Sequence, residues 1–146
     1  MEALFSLQGK VIVVTGGTGI LGGAFVNAII EAGGKVGILG RNADIAHQRA
    51  KAINQAGGEA IALVADVMDE QQLIVCKTQV LERFGKIDGL VNAAGGNQPQ
   101  GVLNPEEDIF KMNLQGMKAV MDLNLWGTII PTQVFGEAIA ATGKGS

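Results

Sequence analysis

The chain has 146 residues, of which 47% are hydrophobic and 17% are charged, and its formal net charge is -3. This length suits one ordinary domain, and the composition is typical of a soluble globular protein. A slightly acidic chain has no electrostatic attraction for nucleic acid or for an anionic membrane, so we expect neither as a partner.

Cysteine content and the N-terminal segment indicate the compartment. Cys76 is the single cysteine, which excludes an internal disulfide. The first ten residues, MEALFSLQGK, lack the basic start and long apolar region of a signal peptide. No apolar run approaches the length of about 18 residues that spans a bilayer. We therefore expect a cytoplasmic protein, and the absence of ligand spacing among its His, Cys and Asp residues predicts no metal site.

Four short apolar runs alternate with longer segments of helical periodicity. The runs KVIVVT, KVGILG, EAIALVA and DGLVN are typical of strands buried on both faces of a parallel sheet. Helical patterns cover residues 20–32, 44–56, 69–84 and 117–141, and glycines at 33–34, 57–58 and 85 are placed to cap the first three. This order predicts a doubly wound α/β fold with strand order 3-2-1-4.

A glycine-rich segment, VIVVTGGTGILGGA, joins the first strand to the first helix. Gly16, Gly19 and Gly22 follow Thr15 at three-residue spacing. Glycine permits a tight turn and lets backbone N–H groups approach a phosphate, and the helix N-terminus attracts the anion. The segment predicts a dinucleotide pyrophosphate site; the alternative is a tight strand-to-helix turn with no ligand.

The residues after the second strand bear on the type of dinucleotide. An acidic residue there would hold the ribose 2′-hydroxyl of NAD, whereas an arginine suits the 2′-phosphate of NADP. Gly40 stands at the acidic position and is followed by Arg41 and Asn42, so we expect NADP rather than NAD. In the alternative, Arg41 is a solvated loop cation, Asp44 is the N-cap of the second helix, and NAD is the cofactor.

The third strand ends in ADV, at residues 65–67. The Asp66 carboxylate is placed to accept a hydrogen bond from an adenine amino group. Capping of a local turn by the same side chain explains the position equally well.

Four motifs together resemble the short-chain dehydrogenase/reductase family. They are LQGKVIVVTGG, ADV, VNAAGG at residues 91–96 and LNLWGT at residues 123–128, in the family's order and over the whole chain. The resemblance implies an NAD(P)-binding Rossmann-type domain over residues 1–146 and an NAD(P)-dependent oxidoreductase. Many members carry glycine at the position of Ile20 rather than Gly19, so this loop has the spacing of the family's extended branch.

The resemblance also implies which residues bind the cofactor. Those of the glycine loop line the pyrophosphate, Asp66 and Val67 flank the adenine, and the VNAAG segment supports the sheet beside the cofactor. With the residues after the second strand, the implied set is Gly16, Thr18, Gly19, Ile20, Leu21, Gly22, Arg41, Asn42, Asp66, Val67, Asn92, Ala93, Ala94 and Gly95.

Asn124 and Gly127 are poor helix residues inside the apolar pattern at 117–141, and they predict a locally disturbed helix. The resemblance gives Asn124 a catalytic role, in which it holds a water of a proton relay. The alternative is a side chain that satisfies backbone carbonyls. Pro131 cannot donate to the helical hydrogen bonds, which predicts a kink or a restart of this helix.

The other catalytic residues implied by the resemblance are a serine, a tyrosine and a lysine. The tyrosine would exchange a proton with the substrate oxygen while the nicotinamide exchanges hydride with the carbon. The chain contains no tyrosine, and its serines are Ser6 and Ser146. We therefore expect an N-terminal fragment that stops before the fifth strand and is inactive alone. Its fourth strand would be an apolar sheet edge that recruits a partner, unless a covering segment was lost.

The segment NAAGGNQPQGVLNPEE, with DLNLWGTIIPTQVFG, resembles the fructuronate reductase, or D-mannonate oxidoreductase, branch of the family. That resemblance implies a small sugar acid as substrate. The amides of Asn97, Gln98 and Gln100 suit sugar hydroxyls, although a solvated turn without substrate contact is the alternative. Trp126 and nearby methionines, Met112, Met117 and Met121, suggest either a subunit interface in a homo-oligomer or core packing.

Three classes of function follow from these features. The first is the cofactor-binding part of a hydride-transferring oxidoreductase, and the second is a non-catalytic nucleotide-binding or regulatory module. A methyltransferase is disfavoured, because such enzymes usually carry an acidic residue where Thr15 stands. His47 is expected to be solvated and Cys76 to pack in the core.

Overall fold

The computed structural model describes residues 4–146. Residues 1–3 belong to the N-terminal segment that the sequence analysis examined for a signal peptide, and they lie outside the described residues. Within this range strands and helices alternate. The elements are β1 (Val11–Thr15), α1 (Ile20–Glu31), β2 (Lys35–Gly40), α2 (Ala43–Gln55), β3 (Ala60–Val64), α3 (Glu70–Phe84), β4 (Gly89–Asn92) and α4 (Leu114–Ala141).

All strands of the described chain form one sheet in the order β3-β2-β1-β4, and every pair is parallel. The predicted fold and strand order are therefore confirmed. Thr15, the last residue of β1, lies opposite Leu39 on one side and Asn92 on the other. The carboxyl ends of the strands consequently meet along one edge of the sheet.

Helices cover both faces of the sheet. Successive residues of a strand face opposite sides, so Val13 packs in one hydrophobic cluster and Val14 in the other. The first cluster includes Leu73 and Val80 of α3 with Phe135 of α4. The second includes residues of α1 and α2, among them Val26 and Ala50. A sheet buried on both faces explains why the strand sequences are apolar at successive positions.

The helix ends are capped in two ways. Asn42, Asp69 and Asn113 each accept a backbone hydrogen bond at the N-terminus of α2, α3 and α4. Asn42 is thus the N-cap of α2, and the alternative that gave this role to Asp44 is wrong; Asp44 lies in the first turn instead. The predicted glycine caps are confirmed by positive φ angles at Gly33, Gly57 and Gly85, whereas Gly34 and Gly58 do not adopt this conformation.

α4 continues without interruption through Asn124, Gly127 and Pro131. The expected disturbance at Asn124 and Gly127 and the expected restart at Pro131 are therefore wrong, whereas a kink at Pro131 stays a prediction. Proline removes a single helical hydrogen bond, the one to the carbonyl of Gly127. Val134 and Phe135, buried in the core just beyond it, hold the second half of the helix on the sheet, and tertiary packing outweighs the local defect. None of the helices in residues 4–146 is long and apolar enough to cross a membrane.

The outer edge of β4 is partly paired by the end of the chain. The Ser146 N–H donates to the Asp88 carbonyl at 3.0 Å, and the Ser146 carbonyl accepts from the Leu90 N–H at 3.0 Å. This pattern is that of a parallel pair between Ser146 and Gly89. β4 is therefore an edge strand of the sheet, as predicted, and Ser146 pairs with it at this point.

Candidate functional site

A cleft of about 270 Å³ opens at the carboxyl edge of the sheet. It lies over β1 and β4, where the strand order reverses and where ligands of doubly wound folds bind. Segments that follow all four strands line it, with one residue of α4. The lining residues are Gly16, Thr18, Gly19, Gly40, Arg41, Ala65, Asp66, Val67, Ala93, Ala94, Gly95 and Leu123.

Two glycines set the shape of the loop between β1 and α1. Gly16 has a φ of +66°, and a Cβ on it would lie 2.7 Å from the Ala93 carbonyl oxygen. A Cβ on Gly22 would overlap with the carbonyl oxygen of Gly16, so α1 packs directly against the loop at this point. Gly16 and Gly19 therefore line the cleft, whereas Gly22 supports the loop from behind.

The N-terminus of α1 differs from those of the other helices because its N-cap, Gly19, has no side chain. The first helical hydrogen bond runs from the Gly23 N–H to the Gly19 carbonyl at 3.0 Å. The N–H groups of Ile20 and Leu21 precede it and have no carbonyl partner within the helix. Both side chains are exposed outside the cleft lining, so these two residues offer their backbone rather than their side chains. This end of the helix carries a partial positive charge that suits a phosphate.

Thr15 fixes the floor of the cleft. Its buried hydroxyl accepts hydrogen bonds from the N–H groups of Ala93 at 3.1 Å and Ala94 at 3.2 Å. The end of β1 thereby holds the start of the segment after β4. Asn92 does not reach the cleft, because its side-chain amide donates to the Thr132 hydroxyl of α4 at 3.1 Å.

Asp66 lies at the cleft and also caps a local turn. Its Oδ1 accepts from the Met68 N–H at 2.9 Å, and its own N–H donates to Gln72 at 2.8 Å. Asp66 thus caps a local turn, as the alternative interpretation expected, and it also lines the cleft. Val67 beside it is buried and contributes an apolar wall.

Arg41 and Asn42 have different surroundings. The exposed Arg41 lines the cleft next to Gly40. Asn42 turns away from the cleft, because its side-chain oxygen accepts from the Ile45 N–H at 3.1 Å. The structure thus engages Asn42 in helix capping.

Asn124 lies on α4, next to the cleft residue Leu123, and is itself outside the lining. Its Oδ1 accepts from the Gly96 N–H at 3.1 Å. Its Nδ2 donates to the carbonyls of Gly96 at 2.9 Å and Val120 at 2.8 Å. The side chain therefore ties the segment after β4 to α4, which is the geometry of the alternative in which it satisfies backbone groups.

The polar segment between β4 and α4 contains two short 3₁₀ turns, at Pro99–Gly101 and Ile109–Lys111. The first is seated on α4, because a Cβ on Gly101 would lie 2.8 Å from the Gly116 carbonyl oxygen. Asn97 and Gln100 are exposed and Gln98 is half-buried, and these three lie outside the cleft lining.

The cofactor-binding set implied by the sequence lacks several residues that shape the site. Gly40, Ala65 and Leu123 line the cleft, and the strand ends could have identified the first two. Arg49 of α2 contacts the glycine loop from outside, and no sequence pattern indicated it. In the described part of the chain, no group of three or more His, Cys, Asp or Glu residues could hold a metal ion.

Comparisons with known proteins agree with this geometry. An oxidoreductase of Bacillus subtilis named UxuB, whose activity is uncharacterised, is 37% identical over 142 residues, which cover 92% of this chain and 51% of the relative. A crystal structure of a candidate D-mannonate oxidoreductase from Haemophilus influenza with bound NAD superposes with a TM-score of 0.83 at 30% identity, over 92% of this chain and 51% of that one.

A structure of 7α-hydroxysteroid dehydrogenase with NADH and 7-oxo glycochenodeoxycholic acid superposes with a TM-score of 0.81 at 29% identity. The match includes 95% of this chain and 51% of that one. The chain thus spans about half the length of the relatives that it matches. The sequence profile described as short chain dehydrogenase matches residues 10–146. The chain belongs to the short chain dehydrogenase family.

Proposed function

We propose that this chain is the nicotinamide-dinucleotide-binding part of an oxidoreductase that transfers hydride between its cofactor and a secondary alcohol or ketone. The observation that carries the proposal is the glycine loop at the carboxyl edge of the sheet, where Gly16 abuts Ala93 and the N-terminus of α1 has no capping side chain. The two solved relatives described above hold NAD and NADH.

The cleft residues divide between the parts of such a cofactor. The N–H groups at the start of α1 would hold the pyrophosphate, and Asp66 and Val67 would contact the adenine. Ala94 and Gly95 lie farther along the cleft, towards Asn124, where the nicotinamide would lie. The bound cofactor would supply the hydride, and the chain would supply its orientation and a dry wall along one side.

Calorimetric titration of the chain with NADPH and NADH tests this proposal. The variant Gly16→Ala places a methyl group against the Ala93 carbonyl, so we expect its affinity for both dinucleotides to fall by more than about tenfold. Gly9→Ala is the matched control, since Gly9 also has a positive φ, of 71°, but has no neighbour within 4 Å of an added Cβ. Equal binding by the wild type and both variants would contradict the site, and the lack of any binding by the wild type would contradict the function.

We propose NADP as the preferred cofactor. Arg41 lines the cleft immediately after Gly40, and a guanidinium forms bidentate hydrogen bonds with a phosphate. Arg41→Gln is expected to weaken NADPH binding by about tenfold while NADH binding stays within about twofold. Arg83→Gln, which removes an exposed arginine of α3, is the control for charge. Equal losses for both cofactors would contradict a contact of Arg41 with the 2′-phosphate, and tighter binding of NADH than of NADPH by the wild type would contradict the NADP preference.

The substrate and the proton donor are further proposals. We propose a sugar acid of the D-fructuronate and D-mannonate type, supported by the polar segment after β4 and by the solved candidate D-mannonate oxidoreductase. The tyrosine, serine and lysine of the reaction would come from a longer parent protein, since this chain has no tyrosine.

An assay of such a parent protein with D-mannonate and NADP tests the substrate. Reduction of NADP with D-mannonate, and none with a bile acid of the steroid relative, is the expected result. Dinucleotide binding without turnover of either compound would favour the non-catalytic module.

A homo-oligomer is also proposed. Met121, Leu125, Trp126 and Ile129 form an exposed apolar stripe along α4. Leu125→Glu should shift sedimentation towards the monomer, whereas Gln133→Glu, at an exposed position of the same helix, should not. A monomeric wild type would contradict this surface as an interface.

A further inference from the structure

Arg49 of α2 reaches across to the glycine loop between β1 and α1. Its Nη1 donates to the carbonyl oxygen of Gly17, and to that of Gly19 at 2.9 Å. Arg49 is half-buried, and none of the ion pairs formed by residues 4–146 involves it. The loop carbonyls are therefore the principal partners of its positive charge.

The two carbonyls belong to peptide groups that also contain the N–H groups of Thr18 and Ile20. In a trans peptide the N–H points away from the C=O, so a carbonyl held towards Arg49 directs the N–H of the next residue to the opposite side. Thr18 and Gly19 line the cleft on that side. Arg49 thus holds the 17–18 peptide group and shares the Gly19 carbonyl with the Gly23 N–H, and its charge polarises both peptide groups.

The first turn of α1 leaves space for the Arg49 side chain. A Cβ on Gly23, the residue of α1 that faces Arg49, would lie 2.6 Å from Nη1. Glycine is unfavourable in a helix interior, where alanine would stabilise the helix. Glycine at position 23 therefore lowers the stability of α1 but leaves room for the guanidinium of Arg49.

We infer that Arg49 is a positioning residue for the pyrophosphate of the cofactor, acting through the peptide groups 17–18 and 19–20 of the glycine loop. This inference rests on the proposed dinucleotide function. Arg49 lies behind the loop and need not touch the ligand. Its contribution therefore concerns ligands that carry a pyrophosphate and not the adenosine part alone.

The test compares two ligands and four variants by NMR titration of the chain. ADP-ribose carries the pyrophosphate, and adenosine 2′-monophosphate lacks it. Arg49→Gln should weaken ADP-ribose binding by about tenfold, because hydrogen bonds from a charged donor are lost, and should change binding of the monophosphate by less than about twofold. Arg49→Lys should give an intermediate loss, and Lys51→Gln, two residues away on the exposed surface of α2, should give none.

Gly23→Ala separates positioning from folding. The added methyl group displaces Arg49 without changing its charge, and alanine favours the helix. We expect weaker ADP-ribose binding together with an unchanged or higher melting temperature. A purely structural role for Arg49 would instead lower the melting temperature of Arg49→Gln and weaken both ligands equally.

The outcomes are distinguishable. If the wild type binds none of ADP-ribose, NADPH and NADH, the proposed function itself is overturned. If the wild type binds ADP-ribose and the Arg49 and Gly23 variants bind it equally well, or lose both ligands equally, the role of Arg49 is overturned while the cofactor site stands.

Discussion

The side chain of Thr18 occupies the space into which any side chain at position 40 would extend. A Cβ on Gly40 would lie 2.7 Å from the methyl carbon of Thr18 and 3.0 Å from its Cβ, closer than non-bonded carbon atoms approach. An acidic residue that would select NAD at the end of β2 therefore does not fit while Thr18 is present. The residue that fits at position 40 therefore depends on the residue at position 18.

Gly40→Asp is accordingly expected to displace Thr18 and to lower affinity for both NADH and NADPH by about tenfold or more. The double variant Gly40→Asp with Thr18→Gly removes the overlap. It should regain NADH binding, because the carboxylate can accept from the ribose 2′-hydroxyl, and it should repel the 2′-phosphate of NADPH. Fluorescence titration with each cofactor measures both effects.

Thr18→Gly alone is the control for loss of the threonine. An increase in NADH affinity in Gly40→Asp with Thr18 intact would show that the two positions are not coupled. The same conclusion would follow if the double variant bound no better than the single one.

Asn124 is predicted to hold the segment after β4 in place. Asn124→Ala removes two hydrogen bonds to Gly96, whose loss amounts to about 1–3 kcal/mol. We expect amide exchange at Gly96 and at residues 97, 98, 100 and 101 to increase by about tenfold. Asn97→Ala, at an exposed position of the same segment, should leave exchange at Gly96 unchanged. Unaltered exchange in Asn124→Ala would mean that other contacts hold the segment.

Asp88 is predicted to make stability depend on pH. This carboxylate is buried at the start of β4; burial raises its pKa, but the Val11 N–H at 2.9 Å and the ammonium groups of Lys86 and Lys10 outweigh burial and lower the pKa. A lowered pKa contributes stability above the unfolded value of about 4, and this contribution is lost as pH falls through the folded value.

Asp88→Asn should therefore unfold more readily at pH 7, by about 1–3 kcal/mol in urea titrations. The difference from the wild type should shrink as the pH falls below about 4. Glu82→Gln, at an exposed position of α3, is the control. A difference that grows at acid pH would reverse the sign of the linkage and exclude this explanation.

Cys76 is predicted to be inert in the folded chain. It is 1% exposed, and burial raises the pKa of its thiol to about 11. Since the thiolate is the reactive form, alkylation at pH 8 should be slow until the chain unfolds. Mass spectrometry after iodoacetamide treatment, with and without urea, measures this. Rapid alkylation of the folded chain would indicate frequent opening of α3.

The fold follows from the sequence because its signals are local. Buried strands are apolar at successive positions, and glycines such as Gly33 and Gly57 mark helix ends by their positive φ. The cleft follows as well, since Gly16, Asp66 and Ala93 all come after strands and parallel strands end at one edge. Segments of this kind can be placed before any contact is known.

Contacts between residues far apart in the chain could not be predicted from the sequence. Arg49 lies 30 residues from Gly19, so its contact depends on how α2 packs beside α1. The overlap of Thr18 with Gly40 arises from the neighbouring positions of β1 and β2. Pro131 predicts a helix restart by its local chemistry, yet the core around Phe135 keeps α4 continuous.

The most direct measurement is a two-dimensional ¹H–¹⁵N NMR titration of the chain with NADPH. We predict saturable shifts at the glycine loop and at residues 41, 66–67 and 93–95. Signals of Asp88, Leu90 and Ser146, which line an apolar groove of about 370 Å³ at the other end of β4, should stay unchanged. Shifts confined to that groove, or no saturable shift at all, would contradict the cofactor site.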